Sequence, residues 1–584
     1  MSSQTFKPTP EQQAIIVHDG SAFVTACPGA GKTRVMTERA RRLFGDMPAG
    51  RGVAFLSFTQ GAIFELETRL REDRILPSPA FPSFIGTFDS FVWQFLVAPF
   101  GVKGYEGHPR LVADLAELTI TPFNGAHPLP LSCFCPTTGN IFDQAAKVKG
   151  FDVSQKSAYQ VQAYVTAAAR LRASLRERGQ LGFDEARDVA LERIGDAEIS
   201  PLIGAALTGR FREVIVDEAQ DCNPDDLHII SWLRDSGLPV KVVCDPHQSI
   251  YGFRGGVTDQ LFAFADTFAE DDRKSLTGNF RSAPNVCKST AQLRPKTLRT
   301  ALNEARGRYK EDTTPVRILA YPGTAVPASI GAAFCEHVKD ADIDLALSPV
   351  IAATKASGAA AAGQPRPSNG RDRAVRLAEA VTNFHFAAGF NDMKTAIEQV
   401  HQILLDLEGC LDYLSYRQYL ADNEIEQASW RPRVLFLLRA LRFDPLKHTD
   451  AKAWHAAAKD LLGQHLTLGD GPSISQKLKW NKAVTGMLAT VPTKTAMPRT
   501  IHSVKGMEFP AVCVVTTAST LKSILDYLET GEPADKAEEA RKLYVAASRA
   551  EKLLVIAAPK SQANRLATHL LGQGAVIEVQ DIPA

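Results

Sequence analysis

The sequence has 584 residues, 45% of them hydrophobic and 22% charged, enough for roughly three to five domains that each bury a core. Its 66 Lys and Arg balance 65 Asp and Glu to a net charge of +1, which excludes a histone-like polyanion binder but leaves room for nucleic acid in a local groove. The polar start MSSQTFKPTPEQQ carries no leader, no apolar run nears the ~20 residues of a membrane span, and nine scattered cysteines read as reduced thiols. A cytoplasmic protein with no membrane partner is expected.

Short runs rich in Val and Ile, separated by helical stretches, predict parallel strands buried on both faces. The first set covers 22–26, 53–58, 214–216 and 240–244; the second covers 316–320, 350–353, 512–515 and 553–557. Two such sets predict two α/β domains. An insertion at 98–207 interrupts the first. Its stretch 158–178 has helical period and ends with Arg170, Arg172, Arg176 and Arg178, which form either a solvated helix end or a DNA-facing surface. Within it, Cys133 and Cys135 lie near His108 and His127, but their spacing matches no usual zinc pattern, so plain thiols are expected. A low-complexity linker at 359–373 suits hinge motion, and 374–489 reads as mostly helical. The final 35 residues after Arg549 are too few for an appended nuclease domain.

The strongest chemical signal is the loop Ala26-Cys27-Pro28-Gly29-Ala30-Gly31-Lys32-Thr33, between a strand and a helix that begins near Arg34. Small residues there let backbone amides wrap phosphates at a helix N-terminus, with Lys32 on the β- and γ-phosphates and the Thr33 hydroxyl on Mg²⁺. In Val214-Ile215-Val216-Asp217-Glu218 a strand ends in two acids. Asp217 is suited to hold Mg²⁺ and Glu218 to activate the attacking water. Gln248 follows another strand, where it could sense a γ-phosphate. Just beyond it, Tyr251, Phe253 and Arg254 suit base stacking on a charged loop. Arg281, and Arg549 ahead of the last strand, are candidates to neutralise charge on the transferred phosphoryl group.

Taken in order, these motifs resemble superfamily 1A DNA helicases of the UvrD/Rep type over nearly the whole chain. By that resemblance Gln12 would read adenine, and Phe280 stands where the family stacks a Tyr on it. Gly506 and Glu508, in Thr500-Ile501-His502-Ser503-Val504-Lys505-Gly506-Met507-Glu508, belong to the motif linking DNA to nucleotide. Phe58, Thr59 and Gln60, with Glu65 and Arg69 behind them, match the first single-strand motif, Thr87 and Phe88 the second, and His502 is a further DNA contact. Departures are Gln60 for Asn, Asp89 for His, Phe253 for Trp and Ser548 for Thr. Asp89 places a negative charge where a DNA contact is expected.

The resemblance implies an α/β fold of two RecA-like domains with parallel sheets, each interrupted by a mainly helical insertion. Domain 1A would span 1–97 and 208–282 around 1B at 98–207; domain 2A would span 283–363 and 493–584 around 2B at 364–492. It implies ATP and Mg²⁺, 3′-to-5′ movement on single-stranded DNA and tailed duplexes, and work in repair or replication restart. The alternative is an ATPase subunit of an antiphage complex of the Gabija kind, acting with a separately encoded nuclease.

Overall fold

A computed structural model describes residues 6–584 except 47, 49, 77–79, 113–114, 116–117, 137, 251–257, 297–302, 365–371, 387–389, 412–415, 417–418, 421–422, 424, 469–471 and 489–495. Two six-stranded sheets dominate it. The first comprises β1 Ala22–Ala26, β2 Gly52–Ser57, β3 Phe84–Thr87, β4 Phe211–Val216, β5 Val240–Cys244 and β6 Arg273–Leu276. The order is β6-β1-β5-β4-β2-β3, with every pair parallel. The second comprises β7 Val316–Tyr321, β8 Val350–Ala352, β9 Pro498–Thr500, β10 Phe509–Val515, β11 Ala550–Pro559 and β12 Ile577–Asp581. Its order is β9-β8-β10-β11-β7-β12, again all parallel. Loops leaving the carboxyl ends of parallel strands therefore gather along one edge of each sheet, where α/β proteins bind ligands.

Both faces of the central strands are sealed, as continuous apolar runs require. One face of the first sheet buries Ala54, Leu56, Val214, Val216, Val240 and Val242, and the other buries Val24, Val53, Phe55, Ile215 and Val243. Helix α1, Pro10–Val17, and helix α2, Lys32–Gly45, cover the latter face. Charge anchors α2 from beneath: Arg39 pairs with Glu213 of β4, the two being 1% and 2% exposed. Helix α3, Gln60–Glu72, follows β2 and turns Leu66 and Leu70 inward.

The first insertion has a small core of its own, including Leu115, Leu129, Phe134, Phe151, Tyr164 and Leu175. Helical content is joined there by two-residue strand pairings, Arg110–Leu111 with Gln180–Leu181 and Thr119–Ile120 with Leu129–Pro130. Cys133 belongs to this core at 1% exposure, and no group of three or more potential metal ligands occurs among the described residues. Two later helices, α4 Phe183–Ile194 and Ile199–Arg210, pack instead into the core of the first sheet. Arg172 is a tether: Nε donates to Glu185 Oε1 at 3.0 Å, and Nη1 and Nη2 donate to the Cys135 and Phe134 carbonyls at 2.8 and 2.9 Å. Helix α5, Pro224–Asp235, follows the paired acids and lies against the same core.

The linker expectation meets a helix at its start. Thr354 caps Lys355–Ala361, and the alanines there favour helix over coil; residues 365–371 lie outside the described set. The second insertion buries its main core among helices that include Arg373–Phe386, Gln427–Ala440 and Ala451–His465. Helix α6, Ala537–Ala547, returns the chain to the second sheet and ends beside Ser548 and Arg549. No helix among the described residues is long and apolar enough to cross a membrane.

Candidate nucleotide site between the two sheets

α2 begins at Lys32 behind Gly31, which sits at φ +77° and offers no side-chain cap. The first amides of the helix thus have no intrahelical acceptor, which makes the turn an anion site. Gly29, at φ +67°, is required by a close approach as well: a Cβ there would overlap Asn279 and Arg281. The passing strand is tied down where Phe280 N donates to Gly29 O at 2.7 Å.

A cleft, partly open to solvent, lies over this loop. Its lining joins Gly29 to Arg34, Asp217, Glu218, Gln248, Phe280 and Arg281 to Gly506, Glu508 and Arg549 from the second sheet's side. Every candidate catalytic residue is here. Lys32 Nζ stands 4.0 Å from Glu218 Oε1. Burial opposes the lysine's charge, but Glu218, Asp217 and Asp245 outweigh it and raise its pKa. Glu218 holds a left-handed backbone, φ +57°, unusual for a non-glycine residue and of the kind that concentrates at functional sites. Its carboxylate accepts from Gln220 Nε2 and is kept below the usual range, against burial, by Lys32, Lys505 and Arg549.

Asp217 is pushed up to about 7 by burial and by Glu218 beside it. A carboxyl so placed, lining the cleft together with Thr33, fits the donor set of Mg²⁺. That ion takes one or two protein oxygens and completes its shell with phosphates and water.

Across the cleft, Arg549 is 2% exposed and burial lowers its pKa to about 10, with Arg281 adding to the effect. Its Nε donates to Val545 O at 3.1 Å, and its Nη2 donates to Gln248 Oε1 at 2.7 Å. Gln248 in turn donates to Asp245 Oδ2 at 2.7 Å. Arg281 donates through Nη1 to Ser548 O at 2.9 Å and through Nη2 to Glu508 Oε1 at 2.5 Å. Its buried Nε has no partner, an orphan donor at the rim of an anion site. Two more bonds cross between the sheets. Arg541 Nε donates to Ser249 O at 2.7 Å. Lys505 Nζ pairs with both oxygens of Asp221 at 2.6 Å, each residue 3% exposed.

Several predicted residues make contacts other than those expected of them. Gln12 does not line the cleft. Its Oε1 accepts from Thr9 N at 3.0 Å and its Nε2 donates to Ala30 O at 3.1 Å, so both ends of the amide are committed to capping α1 and bracing the loop. Ala26, Cys27 and Pro28 are buried beneath the loop, and the Cys27 amide is bound to Leu276 O at 3.0 Å. Glu65 and Arg69, read as part of a DNA motif, line the nucleotide cleft with Ala62. Their spacing of 62, 65 and 69 puts all three on one face of α3.

The register of β2 with β3 pairs Ser57 with Thr87, which sets Phe58 beside Phe88. Their rings stack at 5.3 Å, and Phe88 is 0% exposed. Phe88 is therefore core, supporting Phe58 instead of meeting a base. Thr59 caps α3, Thr87 caps the turn after β3 by accepting from Ser90 N at 3.2 Å, and Gln60 and His502 are exposed. Tyr251, Phe253 and Arg254 lie outside the described residues. The charge on Asp89 is answered locally, for Arg187 donates to it at 2.6 Å.

Comparison with known proteins adds a family. The model for the UvrD/REP helicase N-terminal domain matches residues 8–269, and the UvrD-like helicase C-terminal domain matches 496–561. ATP-dependent DNA helicase PcrA of Staphylococcus aureus strain Mu50 is 26% identical over 306 residues, 50% of this chain and 41% of that protein. DNA helicase II of Haemophilus influenzae is 27% identical over 290 residues, 47% of this chain and 38% of that protein. The matched stretches thus span about two fifths of these relatives' length.

Proposed function

Since the chain belongs to the UvrD/Rep family of superfamily 1A helicases, we propose that it hydrolyses ATP in the cleft between its two sheets to move 3′ to 5′ along single-stranded DNA and separate tailed duplexes. One observation carries the reading: a single cleft unites Lys32, Asp217, Glu218 and Gln248 with Glu508 and Arg549. The α2 amides and Lys32 bind the phosphates, with Phe280 at the cleft to stack on the base. Thr33 and Asp217 would hold Mg²⁺, which when bound neutralises charge between the β- and γ-phosphates. Glu218 orients and deprotonates the attacking water. Arg281 and Arg549 meet the charge that develops on the phosphoryl group, and Gln248 ties Arg549 to the loop after β5. Because the cleft is shared by both sheets, binding and release of nucleotide would open and close the two units against each other, the motion a translocase needs.

The division into 1A, 1B, 2A and 2B, with DNA running past Phe58, Gln60, Thr87, Phe253 and His502, belongs to the same proposal. No observation favours the second reading, an ATPase subunit working with a separate nuclease. The test is ATP hydrolysis with and without single-stranded DNA, alongside unwinding of 3′- and 5′-tailed duplexes. A rate indifferent to DNA, or unwinding from the 5′ tail alone, refutes the proposal.

A further inference from the structure

Three carboxylates converge on Arg187 of α4. Its Nε donates to Asp226 Oδ1 at 2.7 Å, its Nη2 to Asp89 Oδ1 at 2.6 Å and its Nη1 to Asp184 Oδ1 at 3.2 Å. Arg187 and Asp226 are 8% and 2% exposed, so their arm of the fork is enclosed, while Asp89 and Asp184 reach it from more open positions, with side chains at 29% and 51%. Asp89 stands two residues after Thr87, in the turn that follows β3. Asp226 lies in the first turn of α5, where its other oxygen accepts from Asn223 N at 3.0 Å while Asn223 Oδ1 accepts from Asp226 N at 2.8 Å. Asn223 is two residues from Asp221, which Lys505 grips from the second sheet. A continuous series of charge-assisted bonds and short chain therefore runs Asp89, Arg187, Asp226, Asn223, Asp221, Lys505, and passes directly beside Glu218.

We propose that Arg187 is a positioning residue that couples the Thr87–Asp89 turn to the loop bearing Asp217, Glu218 and Asp221, so that DNA engaged at the turn sets the hydrolytic carboxylates. The inference rests on the DNA-stimulated reading above. Its physics is direct. Asp89 is partly exposed, with a side chain at 29%, and a phosphodiester arriving beside it both repels its carboxylate and competes for the guanidinium. Either effect redistributes Arg187 between Asp89 and Asp226, and Asp226 fixes the start of α5. The pairing also explains how an acid is tolerated in a DNA-facing turn.

The experiment measures ATP hydrolysis against the concentration of a thymidine oligonucleotide, together with melting temperature, for the whole chain. Asp89→Asn keeps the Arg187–Asp226 bond and an amide oxygen for Nη2, so the protein should stay folded, and its stimulation is read against its own basal rate. Fold stimulation at saturating oligonucleotide should fall roughly tenfold, the scale of one charge-assisted hydrogen bond. Arg187→Gln should lose stimulation as fully, Arg187→Lys should recover part of it, and Asp89→Asn combined with Arg187→Gln should be no worse than Arg187→Gln alone, as members of one relay require. Full stimulation in Asp89→Asn beside a stimulated wild type overturns the relay alone. So does tighter oligonucleotide binding at unchanged maximal stimulation, which makes Asp89 a local repulsive charge only. A wild type that ignores the oligonucleotide overturns the functional reading and the relay with it.

Discussion

Gln248 and Arg549 meet side chain to side chain between the two sheets, Arg549 Nη2 donating to Gln248 Oε1 at 2.7 Å. They are 301 residues apart in the chain, and both line the nucleotide cleft. Removing the guanidinium by Arg549→Ala should lower hydrolysis by ~10³-fold, the scale of an arginine finger, while ATP still binds through the α2 loop. Arg281→Ala should behave alike. Single-turnover hydrolysis and nucleotide affinity, measured on the same preparations, check this. A lost affinity with an unaltered rate constant would assign Arg549 to ground-state binding instead.

How far the site could be read from sequence depended on whether its chemistry was local. The loop around Lys32 and the acids Asp217 and Glu218 each follow a strand whose four apolar residues betray it. The central strands were legible for the same reason. The edge strands β3, β6, β9 and β12 were not, because an edge need not be apolar on both faces: β6 reads Arg-Lys-Ser-Leu and β12 Ile-Glu-Val-Gln-Asp. Nor was the burial of Phe88 or the fate of Gln12. Those follow from strand register and from a carbonyl 18 residues away, which no local pattern encodes. Arg187 was missed because two of its three partners, Asp89 and Asp226, come from segments distant in the chain.

Within the α2 loop, Lys32→Ala removes the ammonium assigned to the β- and γ-phosphates and should abolish hydrolysis together with most ATP affinity. Glu218→Gln keeps the shape and the Lys32 charge. It should bind ATP and fail to turn it over, since the water loses its base. Filter binding of nucleotide alongside phosphate release separates the two, and turnover at wild-type rates in Glu218→Gln would remove Glu218 from the reaction.

Lys505 and Asp221 form a nearly sealed ion pair between the sheets. Each single substitution removes half of a buried ion pair, so Lys505→Met and Asp221→Leu should each cost about 3–5 kcal/mol. The double variant should regain much of that loss, because an apolar pair has no unpaired charge to bury. Denaturant unfolding of all four proteins tests it. Additive losses in the double variant would mean that water or another group compensates each charge.

Asp188 supplies a test with a pH window. Burial, and then the acids Glu185, Asp225 and Asp184 against the weaker pull of Arg172, push its carboxyl up to about 6 from 3.8. A raised folded-state value means that the folded protein holds the proton more tightly. That contribution is complete below about 3.8 and is lost as pH rises through about 6. At neutral pH the fold therefore carries an unfavourable charge, which Asp188→Asn removes without altering shape. In a sealed site the shift would correspond to roughly 3 kcal/mol; solvent screening at this half-buried position reduces it to about 1 kcal/mol, or about 1 °C in Tm for a chain of this length. The variant should melt above wild type at pH 7.5, and the gap should close as pH falls from 6 towards 4. An identical gap at pH 7.5 and pH 4.5 would show that the gain comes from packing or from the unfolded chain, and not from the charge on Asp188.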